Sequence, residues 1–309
     1  MRFAVIDLGT NTFNLLIAEI ENNSKWKEIY STKMPVKLGE GGIEKRLIIP
    51  PAIERATGAL NAYNKIIKDY QVVKIFAFAT SAVRGASNQK RFVERLKERC
   101  NIDIKVISGE QEAEYIYLGV KEAIEMDDSL SLIMDIGGGS TEFIIANKHT
   151  IFWKHSFLLG VSRLIEKFNP SDPITPQEQK MIITHLEKRT QLLADALKEF
   201  PVKRLLGSSG SFDTYADLIV NRFSSPAILE GKNNYQFNLQ EFEIVHQELL
   251  LSSSDERMRM KGMINMRVDM IVVASMFTHL MLKKFNINEM WLSTYSMKEG
   301  VISSILHSK

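Results

Sequence analysis

A gapless internal echo constrains this chain more than any other feature. Displaced by 128 residues, Ala4–Ala18 (AVIDLGTNTFNLLIA) lies over Leu132–Ala146 (LIMDIGGGSTEFIIA). Asp7 falls on Asp135, Gly9 on Gly137, Thr12 on Ser140, Ile17 on Ile145 and Ala18 on Ala146. Each copy reads as an apolar strand, Asp-x-Gly, a small polar turn and a second apolar strand, the pattern of an antiparallel hairpin. A matched order of this kind marks a duplicated unit.

The segments after each hairpin extend the parallel. Further strands are expected at Trp26–Lys33 and Thr150–Phe157, and helical periodicity then takes over. In the first half the pattern predicts a helix over Pro51–Tyr70, a buried strand at Val72–Ala79, a helix at Gln89–Cys100, a strand at Ile102–Ile107 and a helix over Gln111–Glu125. In the second half it predicts one long helix over Pro176–Glu199, capped by Thr175, and a strand at Val202–Leu206. A helix over Phe212–Val220, a strand at Ile287–Ser293 and a terminal helix at Met297–His307 follow. Two α/β units with mixed sheets result, residues 1–126 and 127–309, with the boundary in the polar stretch Glu125–Ser129. Their Asp-x-Gly turns are expected on opposite walls of one central cleft.

Composition narrows the partners. Lys and Arg number 39 against 37 Asp and Glu, a net charge of +2, which demands neither nucleic acid nor a membrane surface. The most apolar stretch, Met270–Leu282, carries Thr278 and His279 and is too short to cross a bilayer. Cys100 is the single cysteine, so an intramolecular disulfide is excluded, and a cytoplasmic location is expected.

The second turn, Asp135-Ile136-Gly137-Gly138-Gly139-Ser140-Thr141-Glu142, has three successive glycines, so backbone N–H groups can converge on an anion with no Cβ in the way. Ser140 and Thr141 add hydroxyls. Asp135 and Glu142 would repel phosphate unless a divalent cation bridges them to it, and Mg²⁺ suits such oxygen donors. The partner turn, Asp7-Leu8-Gly9-Thr10-Asn11-Thr12, repeats the theme with Thr10, Asn11 and Thr12 as phosphate-binding candidates. No G-x-x-x-x-G-K-[ST] string occurs, and a strand rather than a helix follows the glycines, so neither a P-loop nor a dinucleotide site is present. Arg84 lies just beyond the buried strand and is placed to grip phosphate oxygens. Glu110, Glu112 and Glu114 all open a helix, and spacing does not choose among them. The basic residues Lys90, Arg91, Arg95, Lys97 and Arg99 offer a path for a polyanion, or simply a solvated helix face.

Taken together, these segments resemble the exopolyphosphatase and guanosine pentaphosphate phosphohydrolase family, within the actin-like, sugar-kinase and Hsp70 superfamily. The resemblance rests on DLGTNTF at 7–13, LGEG at 38–41, ATSAVR at 79–84, SGEQEA at 108–113, DIGGGSTE at 135–142 and GVSRL at 160–164. It implies two RNase H-like domains around a cleft. It implies Glu112 as activator of the attacking water, Arg84, Asp135 and Glu142 as catalytic groups, and Asp135 and Glu142 as acids tied to metal. Asp7 crowds the same phosphate site, so Asp7, Asp135 and Glu142 are expected around Mg²⁺ or Mn²⁺. Thr10, Asn11, Thr12, Gly137, Gly138, Gly139, Ser140 and Thr141 would bind phosphate of inorganic polyphosphate or guanosine pentaphosphate. A homodimer without nucleic-acid or membrane partners is implied, in the short form that lacks an HD-type domain. The chain departs from the family pattern at Gln111, at the loose glycine loop Gly207–Ser211 and at Lys298, where arginine is frequent. An ATP-dependent small-molecule kinase and a non-catalytic polyphosphate or alarmone sensor are the alternatives on the same fold.

Overall fold

A computed structural model describes residues 1–21 and 25–307. In the first half β1 (Arg2–Leu8), β2 (Thr12–Ile20) and β3 (Trp26–Pro35) form a meander. The chain continues as α1 (Pro50–Asp69), β4 (Lys74–Ala79), α2 (Ser81–Arg84), α3 (Gln89–Cys100), β5 (Ile104–Val106) and α4 (Gly109–Ala123). The second half repeats the plan with β6 (Ser131–Ile136), β7 (Thr141–Ala146), β8 (Ile151–Phe157), α5 (Val161–Phe168), α6 (Pro176–Arg189), α7 (Gln191–Glu199), β9 (Arg204–Ser208) and α8 (Gly210–Phe223). It ends with β10 (Asn234–Gln236), α9 (Leu239–Leu251), α10 (Ser254–Arg259), α11 (Ile271–Lys284), β11 (Glu289–Ser293) and α12 (Met297–His307).

The two sheets are the same object twice. Their orders are β3-β2-β1-β4-β5 and β8-β7-β6-β9-β11, with β10 added at the far edge of the second. In each, only the second strand of the five runs antiparallel, which is the RNase H-like arrangement. Register follows the echo: Asp7 pairs with Asn14 as Asp135 pairs with Glu142. Even the irregularities repeat, since β2–β3 slips between Ile17 and Ala18 and β7–β8 between Ile145 and Ala146. The Ile-Ala identity at the end of the echo therefore marks a shared bulge, which sharpens strand twist at one place in both units.

Three apolar clusters hold the fold. One lies behind each sheet, and the third fills the space between the sheets. That central layer is built from α4 and α12: Ile116, Val120, Val301 and Ile302 pack between Val5 and Leu16 of one sheet and Ile133, Ile144 and Leu206 of the other. The two helices meet at backbone distance. A Cβ on Gly119 would lie 2.0 Å from the Ser296 carbonyl oxygen, and one on Gly300 would lie 1.7 Å from that of Tyr115. Only glycine permits such an approach. It pins Ser296, Met297 and Lys298, at the start of α12, beside the cleft.

Several expected elements differ in their bounds, two of them for a visible reason. The long helix over Pro176–Glu199 is divided at Thr190, whose hydroxyl donates to the Leu186 carbonyl at 2.8 Å while its backbone leaves helical angles (φ −99°, ψ 21°). A threonine hydroxyl bonded to its own preceding turn competes with helix continuation. The helix expected from Gln111 starts earlier, at Gly109, because Ser108 and Gln111 form a reciprocal capping box.

Candidate active site

Every segment that leaves the carboxyl end of a central parallel strand reaches the same place. The turns after β1 and β6, Thr80-Ser81 after β4, Ser209-Gly210 after β9, and Thr294 and Ser296–Lys298 after β11 line one cleft of about 350 Å³. Open α/β sheets bind ligands at this edge.

The glycine turn is aimed by a helix behind it. Amides of Val161 and Ser162, at the start of α5, donate to the Gly137 and Gly138 carbonyls at 3.0 and 2.9 Å, and Arg163 Nε donates to the Gly139 carbonyl at 3.2 Å. In a planar trans peptide the N–H points opposite to the C=O. With three successive carbonyls held on the α5 side, the following N–H groups of Gly138, Gly139 and Ser140 face the other way, and all three residues line the cleft. Three convergent amides form an anion nest. Gly160 allows this docking, since a Cβ there would sit 2.3 Å from Gly138. Facing the turn, Thr10, Asn11 and Thr12 line the opposite wall. The Ser81 hydroxyl is buried without a hydrogen-bond partner and lies beside Gly139, available to a ligand.

Five carboxylates line this cleft, Asp7, Glu112, Asp135, Glu142 and Asp213, and the first four belong to the segments singled out in the sequence. Asp7 accepts from Asn14 at 2.9 Å, and Asp135 accepts from Ser208 at 2.6 Å and Ser296 at 2.5 Å. Glu142 Oε1 accepts the hydroxyls of Ser140 and Ser156, each at 2.6 Å. Burial dominates their protonation. It raises Asp7 to about 7 and Asp135 above the usual range, and it pushes Glu142 well up with repulsion from Glu112 and Asp135. Glu112 is likewise raised to about 7 by burial, against the pull of Arg84. Arg84 Nη1 donates to Glu112 Oε2 at 2.8 Å and to the Ile107 carbonyl at 3.0 Å.

The helix that carries Glu112 also separates the three acids that spacing left equal. Glu114 pairs with Lys154, and Glu110 lies 3.9 Å from the same ammonium, so both turn to the exposed side. Glu112 alone of the three lines the cleft.

Among the described residues no three His, Cys, Asp or Glu side chains gather into a closed metal cage. The donors nevertheless fit a hard divalent cation, because Mg²⁺ keeps waters and takes one or two carboxylates together with substrate phosphate oxygens. Asp135 is close enough to push up both Asp7 and Glu142 by charge repulsion, and all three carboxylates line the same cleft.

Other expected residues fall outside the cleft. Thr141 is fully buried and donates to the Leu159 carbonyl at 3.1 Å, so its hydroxyl faces the core of its own unit rather than a ligand. Arg84 is not in the lining; it reaches Glu112 from α2 and is held by the Ile107 carbonyl. Three of the five basic residues noted on α3 are ion-paired at the surface: Arg95 and Arg99 bind Glu54 at 3.0 and 2.7 Å, and Lys97 binds Asp103 at 2.6 Å. No residue of α3 lines the cleft.

The cations that do line it are Lys33, Arg267 and Lys298, opposite Asp213. Lys298 is ion-paired to its neighbour Glu299. Arg267 is 9% exposed, its Nε has no hydrogen-bond partner, and its guanidinium lies over Gly210, where a Cβ would meet Nη2 at 2.0 Å. In the sequence Arg267 is one of two cations between α10 and α11, with nothing that sets it apart.

Two α/β units of the same RNase H-like strand order, with their Asp-x-Gly turns facing one cleft, define the class of fold. A solved exopolyphosphatase from Cytophaga hutchinsonii follows the same course throughout, with a TM-score of 0.96 and 40% identity over 100% of this chain and 98% of that one. The chain belongs to the Ppx/GppA phosphatase family, whose model matches residues 16–309. A bifunctional 3-dehydroquinate synthase/phosphatase of Fusobacterium nucleatum is 40% identical over 173 residues, 53% of this chain and 26% of that protein. A guanosine-5'-triphosphate,3'-diphosphate pyrophosphatase of Pseudoalteromonas atlantica is 27% identical over 99% of this chain and 59% of its own length. This chain therefore spans less than two thirds of either curated relative. No helix among the described residues is long and apolar enough to cross a membrane.

Proposed function

We propose that this protein hydrolyses phosphoanhydrides from the end, releasing the terminal phosphate of inorganic polyphosphate and, as a second substrate, of guanosine pentaphosphate. The observation that carries this reading is the position of Glu112, held by Arg84, in the cleft that the glycine turn also lines.

The terminal phosphoryl group lies in the nest of Gly138, Gly139 and Ser140, with Thr10, Asn11 and Thr12 closing the other side. Glu112 takes a proton from a water molecule as the water oxygen attacks phosphorus. The bridging P–O bond breaks, and its electron pair leaves on the shortened chain. A group raised to about 7 is half-ionised near neutral pH, the range in which a general base works best. Phosphoryl transfer otherwise needs positioning and charge neutralisation. Asp7, Asp135 and Glu142 would hold Mg²⁺ or Mn²⁺, and the bound cation would offset the charge of phosphate and carboxylates together. Arg267 and Lys33 are the cations left to meet the rest of the polymer.

The test is phosphate release with Mg²⁺ from long polyphosphate, tripolyphosphate and guanosine pentaphosphate, run side by side. Release from any of these without an acceptor supports hydrolysis. ADP formation from ATP that depends on an added sugar, with no release from polyphosphate, would support the kinase alternative instead.

A further inference from the structure

Arg163 touches both units at once. Its Nε donates to the Gly139 carbonyl at 3.2 Å, in the glycine turn of the second unit. Its Nη1 donates to the Ile43 carbonyl at 3.2 Å and to the Glu44 carboxylate at 3.1 Å, in the first unit. Two contacts beside it bridge the units in the same place. Ser162 Oγ donates to Asn11 Oδ1 at 2.6 Å, and the Glu44 amide donates to Glu166 Oε1 at 3.3 Å. The guanidinium is mostly enclosed, with 16% of the side chain exposed against 39% for Glu44.

We propose that Arg163 is a positioning residue that couples closure of the cleft to alignment of the glycine turn. This rests on the reading above that the turn binds phosphate. Fixing the Gly139 carbonyl directs the Ser140 N–H toward the cleft, as the planar peptide requires. The same guanidinium is held in place from the first unit by Ile43 and Glu44. When the units part, those partners leave, the side chain loses its anchor, and the Gly139–Ser140 peptide is released to turn. The third amide of the nest is thus aimed only while the cleft is shut. A partly exposed ion pair is weak enough to break at each turnover.

The experiment uses the full-length chain and four variants: Glu44→Gln, Arg163→Lys, Arg163→Gln and the double variant with Glu44→Gln and Arg163→Gln. Melting curves establish folding, and steady-state kinetics with tripolyphosphate and Mg²⁺ follow. Glu44→Gln leaves the hold on Gly139 intact and weakens only closure, so KM rises about two- to fivefold at wild-type kcat, less so at high salt. Arg163→Lys keeps the charge but cannot serve two partners with a planar fork, so kcat falls about tenfold or more. In the Arg163→Gln background Glu44→Gln has no further effect, because the pair is already broken. Wild-type KM in Glu44→Gln, wild-type kcat in Arg163→Lys, or additive effects in the double variant would each overturn the proposal. A wild-type protein that hydrolyses none of the substrates overturns the proposed function. The coupling is then read by solution scattering, where Glu44→Gln is more extended than wild type if it holds, and equally compact if it does not.

Discussion

Arg84 grips the carboxylate of Glu112 with the same Nη1 that donates to the Ile107 carbonyl, at 2.8 and 3.0 Å. The backbone of the first unit thereby sets the direction of a buried acid. Burial raises Glu112 to about 7, and Arg84 is the main group opposing that rise. Because the active base is the ionised form, kcat/KM should increase as pH passes through about 7. Arg84→Gln removes the opposing charge, so the rise should move to higher pH. A profile that stays in place in this variant would mean that another group governs the activity.

Asp7 illustrates what the site costs the fold. Burial raises it to about 7, with a hydrogen bond from Asn14 pulling down and Asp135 pushing up. The folded protein holds a proton that the unfolded chain releases above its ordinary 3.8. Its favourable contribution is therefore complete below that value, declines as pH rises, and is lost through about 7. Asp7→Asn should raise Tm at pH 8 without divalent metal by roughly 2–4 °C, give no gain at pH 4, and abolish activity. Melting curves at the two pH values decide it, and a lower Tm at pH 8 would count against the assignment.

Gly160 touches no ligand, yet its missing side chain lets α5 dock on the glycine turn. Gly160→Ala must push Gly138 aside. A displacement of about 1 Å at the reacting group costs on the order of 10²-fold in rate. Kinetics and circular dichroism on this variant should show that loss in a folded protein. Wild-type turnover would mean that the amides of the turn do not contact the reacting phosphate.

Removal of divalent metal should silence the protein. Asp7, Asp135 and Glu142 crowd negative charge where phosphate must sit, and a bound cation offsets it. Activity should vanish in excess chelator and return with Mg²⁺ or Mn²⁺. Full activity in chelator would contradict the role given to these acids.

The duplication was legible because both hairpins are local. Apolar strands around an Asp-x-Gly turn are properties of contiguous residues, and the structure sets Asp7–Asn14 and Asp135–Glu142 in matching registers. What stayed hidden depends on contacts between distant segments. Spacing left Glu110, Glu112 and Glu114 equal, and it took Lys154 on β8 to draw the outer two away. Thr141 reads as one more turn hydroxyl, yet strand alternation turns it to Leu159. The basic run on α3 looked like a polymer path until Glu54, on α1, claimed Arg95 and Arg99. Arg267 gave no signal, since its value lies in the Gly210 backbone beneath it.

The central claim is that Glu112 activates water, and one comparison of turnover tests it. Glu112→Gln keeps the shape and removes the basic oxygen, while Glu110→Gln and Glu114→Gln alter acids that face Lys154 on the outside. With polyphosphate and Mg²⁺, kcat of Glu112→Gln should fall by roughly 10²–10⁴-fold, with substrate still bound and the two controls close to wild type. Wild-type kcat in Glu112→Gln, or the large loss appearing in Glu110→Gln instead, would contradict it.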